Sequence, residues 1–319
     1  MKTVAFYSYK GGVGRSLFVA NLSLFLARFA AKKVLTVDLD LEAHGLHYKY
    51  EAMGVPVPPI EAGIVDTLHD YLNAPAPPAT LPIIDLKIPV EGSVHFFPAG
   101  VAPRAAYWNK LGEMDFHALM RDEDRIGELL FREVLEHIRE QLNPDFVLID
   151  ARTGVTELGG AAAQIWAQQA FCMALDHKEH LEGIRAVMRG IARRKRTDGQ
   201  GLIQVVPVLS RMHTVFGSPE EDASRGRVRG YLNEMGPTVE DTLSIESDDD
   251  LVVLHNDDEV YRTGCALMGD ALQGALRPSR LLADYIVAGR RLLEPAEQAD
   301  VSARILSLGK GDQEPLIAR

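Results

Sequence analysis

The sequence predicts an α/β fold: one doubly wound, mostly parallel sheet with helices on both faces. Three observations carry that expectation. Apolar, β-branched runs of strand length alternate with amphipathic runs of helix length along the chain, the rhythm of βαβ units. The runs at 3–8, 33–38 and 146–150 are apolar almost throughout, as strands covered on both faces are. The first of them enters a glycine-rich turn and the other two end in acids. Chemistry-bearing residues thus gather at the carboxyl edge of the sheet, where open α/β folds bind ligands.

Thr3–Ser8 is the first strand. From Ser16 to Ala30 apolar residues recur at helical spacing (Leu17, Ala20, Leu24, Ala27), so an amphipathic helix follows. Between them lies Tyr9-Lys10-Gly11-Gly12-Val13-Gly14-Arg15-Ser16-Leu17. A glycine-rich turn between a strand and a helix start can wrap backbone N–H groups around phosphate, and the helix N-terminus adds partial positive charge toward the same anion. Gly11, Gly12, Val13, Gly14 and Leu17 form this cradle, with side chains of Lys10, Arg15 and Ser16 about it. Ser16 stands where P-loops place the hydroxyl that ligates magnesium. Arg15 takes the usual P-loop lysine position, and Lys10 supplies a second cation five residues earlier. The strict pattern G-x-x-x-x-G-K-[ST] fails at Tyr9 and at Arg15, so the stretch alone also fits a glycine-rich turn without a ligand.

Lys33–Asp38 is the second strand, followed by Asp38-Leu39-Asp40. Alternation puts both aspartates on one side of an extended chain. Carboxylates there can hold magnesium through its water shell and orient an attacking water; a solvated acidic turn is the plain alternative. Residues 51–82 are dense in proline and alanine and bracket a short helix from Ile64 to Leu72, which predicts an insertion lying over the surface. Leu81–Val90 and Ser93–Phe97 read as strands, and Tyr107–Met120 as short helices. Arg125–Leu142 is a strong amphipathic helix with Ile126, Leu129, Leu130, Val134, Leu135 and Ile138 on one face, stopped by Asn143-Pro144. Phe146–Asp150 is an apolar strand ending in an acid, the Walker B arrangement, whose aspartate binds magnesium directly or through water.

Ala170–Leu175 makes another strand and Lys178–Arg194 a helix, ending in Arg193-Arg194-Lys195-Arg196. With Arg225, Arg227 and Arg229 these cations are a candidate nucleic-acid patch. A solvated helix end explains them as well, and no aromatic residue interleaves to stack on bases. Leu202–Leu209 is a further strand, followed by Ser210-Arg211, and Leu251–Leu254 another, followed by His255-Asn256-Asp257-Asp258-Glu259-Val260. Two helices, Ser279–Leu293 and Ala296–Leu308, make a C-terminal helical portion at about 278–308. One domain over 1–319 is expected.

Lys-Gly-Gly-Val-Gly followed by a cation and a hydroxyl resembles the deviant Walker A motif of the ParA/MinD family of P-loop ATPases, in a KGGVGR variant. The resemblance implies ATP and Mg2+ as cofactors and a homodimer formed on ATP binding, which signals to an unidentified protein partner. It implies that Lys10 reaches across the dimer to the partner's phosphates and that Asp40 is the acid associated with hydrolysis. Ser16, Asp38 and Asp150 would serve the metal. Ser210 and Arg211 fall where the family frequently has Asn-Arg, the asparagine contacting adenine, and Asn256 and Asp257 fall in its loop beside the base. Ala151–Glu157 falls where the family has its second switch loop but departs from its usual pattern; Arg152 is a candidate sensor of nucleotide state, with a salt bridge to a nearby acid as the plain alternative. Arg15 departs from the family's lysine, keeping the charge on a planar fork. Lys10, Asp40 and Arg15 are thus the expected catalytic residues.

Composition narrows the field. A hydrophobic fraction of 46% with 25% charged residues is ordinary for a globular protein. A net charge of −11 argues against wholesale non-specific binding to nucleic acid or acidic membranes. Cys172 and Cys265 provide no disulfide framework or metal-ligand spacing. The chain opens directly on a strand with no signal-peptide pattern, and no apolar run approaches ~20 residues, so a cytoplasmic location and no membrane partner are expected. The leading expectation is an ATPase working as a nucleotide-dependent dimerising switch, with slow hydrolysis because Arg15 replaces lysine. The alternatives are a nucleotide-gated binding module with little or no hydrolysis and a P-loop phosphotransferase; for the latter no acceptor residues stand out.

Overall fold

The structure is a computed structural model and describes residues 1–74, 76–121, 126–154, 160, 162–196, 199–234, 245, 247, 250–263 and 279–308. Its centre is an eight-stranded sheet. In chain order the strands are β1 (Lys2–Ser8), β2 (Lys33–Leu39), β3 (Ile84–Asp85), β4 (Ser93–Phe97), β5 (Phe146–Ala151), β6 (Gln169–Ala174), β7 (Gln204–Met212) and β8 (Val252–His255). The spatial order is β3-β4-β2-β5-β1-β6-β7-β8. Every pair is parallel except β3 with β4. The doubly wound, mostly parallel sheet expected from the sequence is the observed one.

Alternating side chains of the central strands feed two cores. Val4, Phe6, Val34, Leu148 and Phe171 face α1 (Arg15–Phe29) and two C-terminal helices. Ala5, Tyr7, Val37, Val147 and Ile149 face the opposite layer. That layer holds α3 (Ile64–Asn73), α4 (Ala105–Glu113), α6 (Ile126–Leu142) and α7 (Lys178–Ala192). On the first face, Phe6 stacks on Phe171 at 5.2 Å between centroids and meets Phe18 edge-on at 5.5 Å. Such pairs add about 0.5–1.5 kcal/mol each beyond the area they bury. They fix α1, and hence the turn that precedes it, against the sheet.

Several elements differ from the sequence reading. The helix expected to be amphipathic, α1, is buried on nearly all sides, because α2 (Leu46–Ala52) and α10 (Arg280–Arg290) cover its outer surface. Of the strand expected at Leu81–Val90 only Ile84–Asp85 pairs, antiparallel at the sheet edge; Pro82 and Pro89 cannot donate to a ladder. Ile126 and Leu129, placed on the buried face of α6, are exposed, while Phe131 joins Leu130, Val134, Leu135 and Ile138 inside. β7 starts two residues later and ends three residues later than expected, and so takes in Ser210 and Arg211. Unforeseen were α2, a π-helical turn at Ala162–Trp166, α8 (Pro219–Asn233) and α9 (Asp258–Thr263). The remaining helices, α5 (Phe116–Arg121) and α11 (Pro295–Leu308), lie where short and C-terminal helices were expected. Cys265, Arg125, Val155–Glu157 and the tail after Leu308 lie outside the described residues. Among the described residues, no helix is long and apolar enough to cross a membrane.

Candidate functional site

The turn after β1 is shaped by two glycines in the left-handed region, Gly12 at φ 80° and Gly14 at φ 79°. That conformation is costly for other residues, and it brings the chain round into α1, whose first helical residue is Arg15. A cavity of about 460 Å³ opens on this turn and is lined by Ser8, Gly11 to Leu17, Asp40, Ala43, Lys49, Thr153, Arg211 and Val260. At Gly11 and Gly12 a Cβ atom would meet no protein atom within 4 Å, so the cradle is open on the side a ligand would occupy. Its volume lies in the range of small-molecule and cofactor sites.

Beneath the turn sit three carboxylates from adjacent strands. Asp38 and Asp150 are register partners of β2 and β5, both fully buried, and Asp40 follows at the edge of the cavity. Arg15 joins two of them. Its Nε donates to Asp150 Oδ1, its Nη2 to Asp40 Oδ2 at 3.0 Å and its Nη1 to Ser8 Oγ at 3.2 Å. Burial alone would lower the guanidinium's pKa; Asp150 and then Asp40 outweigh it and raise it. Asp38 instead accepts backbone N–H groups from the loop that follows: Asp40 at 3.3 Å, and Gly45 and Leu46 at 3.1 Å each. Burial, then the charge of Asp150, pushes the Asp38 carboxyl up to about 8 against the pull of those N–H groups.

The other expected residues distribute around this centre. Ser16 lines the cavity from the first turn of α1. Ser210 Oγ donates to the carbonyl of Val13 at 2.6 Å, and Arg211 Nη1 to the carbonyl of Gly12 at 3.4 Å. The end of β7 is thereby strapped to the turn. Arg211 Nε also reaches Asn256 Oδ1 at 3.4 Å. Asp257 accepts the backbone N–H of Val260 at 3.0 Å and the hydroxyl of Ser279 at 2.6 Å. Lys10 stands apart: it does not line this cavity, is 49% exposed and pairs with Glu179 of α7 at 3.4 Å.

Arg152 grips Glu42 through both terminal nitrogens, one at 2.6 Å, joining the loop after β2 to the loop after β5. Of the cations considered for a nucleic-acid patch, Arg225 pairs with Glu221 at 3.0 Å and Arg227 with Asp176. Burial pushes the Cys172 thiol up to about 12, which keeps it protonated and unreactive. Ser8, Glu42, Lys49 and Thr153 were not singled out by sequence. Lys49 belongs to a short uncapped helix with no sequence signal, and Thr153 lies just after β5.

A magnesium ion would fit the donor set. Asp150 Oδ2 is buried with no hydrogen-bond partner, and the Ser16 hydroxyl borders the same cavity. Among the described residues no group of three or more His, Cys, Asp or Glu could hold a metal by itself. A cation here would therefore draw ligands from phosphate and water as well, the usual habit of magnesium.

No family model matches the chain. A virulence plasmid ParA family protein, pGP5-D, of Chlamydia psittaci is 50% identical over 44 residues, 14% of this chain and 17% of that protein. The chain thus spans under a fifth of that relative's length. A ParA family ATPase from Chlorobium tepidum superposes with a TM-score of 0.58 at 12% identity, over 90% of this chain and 98% of that one. The septum site-determining protein MinD of Pyrococcus horikoshii, solved in complex with Mg-ADP, gives 0.55 at 20% identity, over 92% and 97%. With its glycine turn, strand order and acid-ended strands assembled as described, this chain has the fold of the MinD and ParA ATPases.

Proposed function

We propose that the chain is an ATP-binding, magnesium-dependent ATPase that dimerises on nucleotide and signals to a protein partner. The observation that carries the reading is the open cavity on the glycine turn, lined by Ser16, Asp40 and Arg15, with Asp150 bound to Arg15 behind them. Gly11 to Gly14, Leu17 and the start of α1 would cradle the phosphates, with Arg15 as their cation. Ser16 and Asp150, with Asp38 one strand over, would hold magnesium, which neutralises phosphate charge when bound. Asp40 would orient the attacking water. Ser210, Arg211, Asn256 and Asp257 would form the side of the site that meets the base. Lys10, half exposed and outside the lining of its own cavity, would serve the phosphates of a second copy.

Calorimetric titration of the protein with ATP and magnesium tests the binding step, and phosphate release compared with Asp40→Ala tests hydrolysis. Absence of heat on titration overturns the reading. A second reading, a nucleotide-gated binding module with little hydrolysis, is favoured by the Arg15–Asp40 pair at 3.0 Å, which ties up the acid that hydrolysis needs. Phosphate release no faster than that of Asp40→Ala, with ATP binding intact, selects it.

A further inference from the structure

We propose that Arg15 is the built-in counter-ion of Asp40 and Asp150, so that a divalent cation and its phosphates enter this site only by drawing the guanidinium off the two acids. The inference deepens the nucleotide-binding reading and rests on it.

The geometry of Arg15 carries the argument. Its side chain is almost fully buried at the foot of the cavity. Nε, Nη1 and Nη2 are each taken by a different residue of the chain itself: Asp150, Ser8 and Asp40. Those three come from the ends of β5, β1 and β2, so one planar fork ties together three neighbouring strand tips. A compact ammonium with free rotation cannot hold such a fixed set of directions. Among the described residues no other cation pairs with either acid, and Asp150 keeps one buried oxygen without a hydrogen-bond partner.

Two exchanges follow. A cation arriving alone takes the acids and leaves a buried guanidinium without an anion. A triphosphate arriving alone draws the guanidinium and leaves two acids without a cation. Either half-exchange strands a buried charge, which is strongly unfavourable. Metal and phosphate together satisfy every group, since phosphate accepts the fork that the acids release. Arg15 therefore makes the two ligands cooperative, a coupling that is reciprocal by linkage.

The test needs no nucleotide turnover. Melting temperatures of wild type, Arg15→Ala and Arg15→Lys are measured in EDTA and in saturating magnesium chloride without nucleotide. Wild type should shift by less than about 1 °C with magnesium, since its acids are already neutralised. In EDTA, Arg15→Ala should melt about 6–10 °C lower than wild type, from the cost of breaking a buried pair, and magnesium should restore at least half of that loss. Arg15→Lys, which keeps the charge and serves if the alanine variant does not fold, should show a smaller magnesium gain that still exceeds the wild-type shift. Equal magnesium shifts in all three proteins, or an arginine-free variant as stable as wild type in EDTA, overturn the proposal. A fluorescent ATP analogue titrated into wild type separates the two claims. Binding with equal magnesium shifts overturns the counter-ion proposal and leaves the nucleotide reading standing; no binding overturns that reading, while the magnesium shifts still decide the role of Arg15.

Discussion

Arg152 and Glu42 lie 110 residues apart in sequence and meet through a two-pronged bridge that links the loop after β2 to the loop after β5. Asp40, just past the end of β2, and Asp150 of β5 are joined in turn by Arg15. The loops flanking the cavity are thus braced twice, once inside the protein and once at its surface.

The outer brace should matter for ligand response more than for folding. Glu42 is half exposed, and exposed ion pairs contribute about 0–1 kcal/mol. Arg152→Ala and Glu42→Gln should each leave the denaturant midpoint nearly unchanged, while ATP affinity or phosphate release changes at least about threefold. The double variant should be no worse than either single one, as expected when one contact is lost twice. Unchanged affinity, dimerisation and turnover in Arg152→Ala would sink a sensing role for this residue.

Asp38 makes stability depend on pH in an unusual direction for a carboxylate. Its folded-state pKa is raised to about 8 from an ordinary value near 3.8, so the folded form holds a proton that the unfolded chain gives up. The resulting stability is complete below the ordinary carboxylate range and is lost as pH rises through about 8. Asp38→Asn keeps an oxygen for the backbone N–H groups of Gly45 and Leu46 without the ionisable proton. Urea midpoints measured between pH 5 and 9 should fall less steeply with pH in Asp38→Asn than in wild type. Parallel pH profiles for the two proteins would contradict the assignment.

Lys10→Ala removes an exposed side chain whose partner, Glu179, is itself mostly exposed. The variant should fold as wild type does by circular dichroism. On a sizing column with ATP and magnesium it should elute as a monomer under conditions where wild type dimerises. A dimer of undiminished stability would refute the role proposed for Lys10.

Ser210 is buried and donates its hydroxyl to the carbonyl of Val13. Ser210→Ala should cost about 0.5–1.5 kcal/mol of stability, the net worth of such a bond. It should also weaken ATP binding several-fold by loosening the turn. Stability loss without any change in affinity would make the bond purely architectural.

Most of the frame was legible because the signals were local. The apolar strands at β1, β2 and β5 and the acids at their ends can be read directly, since burial on both faces leaves no polar alternation. The glycine turn is equally plain: Gly12 and Gly14 do adopt the left-handed conformation. α8 escaped notice although Ser218-Pro219-Glu220-Glu221 carries a start signal, with Ser218 Oγ accepting the N–H of Glu221 and proline in the first turn. Its polar face pattern hid it. The partners of Arg15 were invisible for a different reason. Charge and spacing said that a cation stands beside the phosphate cradle. Only the register of β2 against β5 shows that the acids sit directly against the guanidinium, and register is a long-range property.

Tyr9 opens the glycine turn, and its ring lies so close to α7 that a single methyl group at Gly183 would fall 2.0 Å from it. Lys10 is the next residue, and it too leans on that helix through Glu179. A missing side chain on one helix therefore makes room for the ring of a neighbouring loop, beside the ion pair of Lys10 with Glu179. Any force that slides α7 along its axis would push the aromatic ring like a cam, and the lysine beside it would swing.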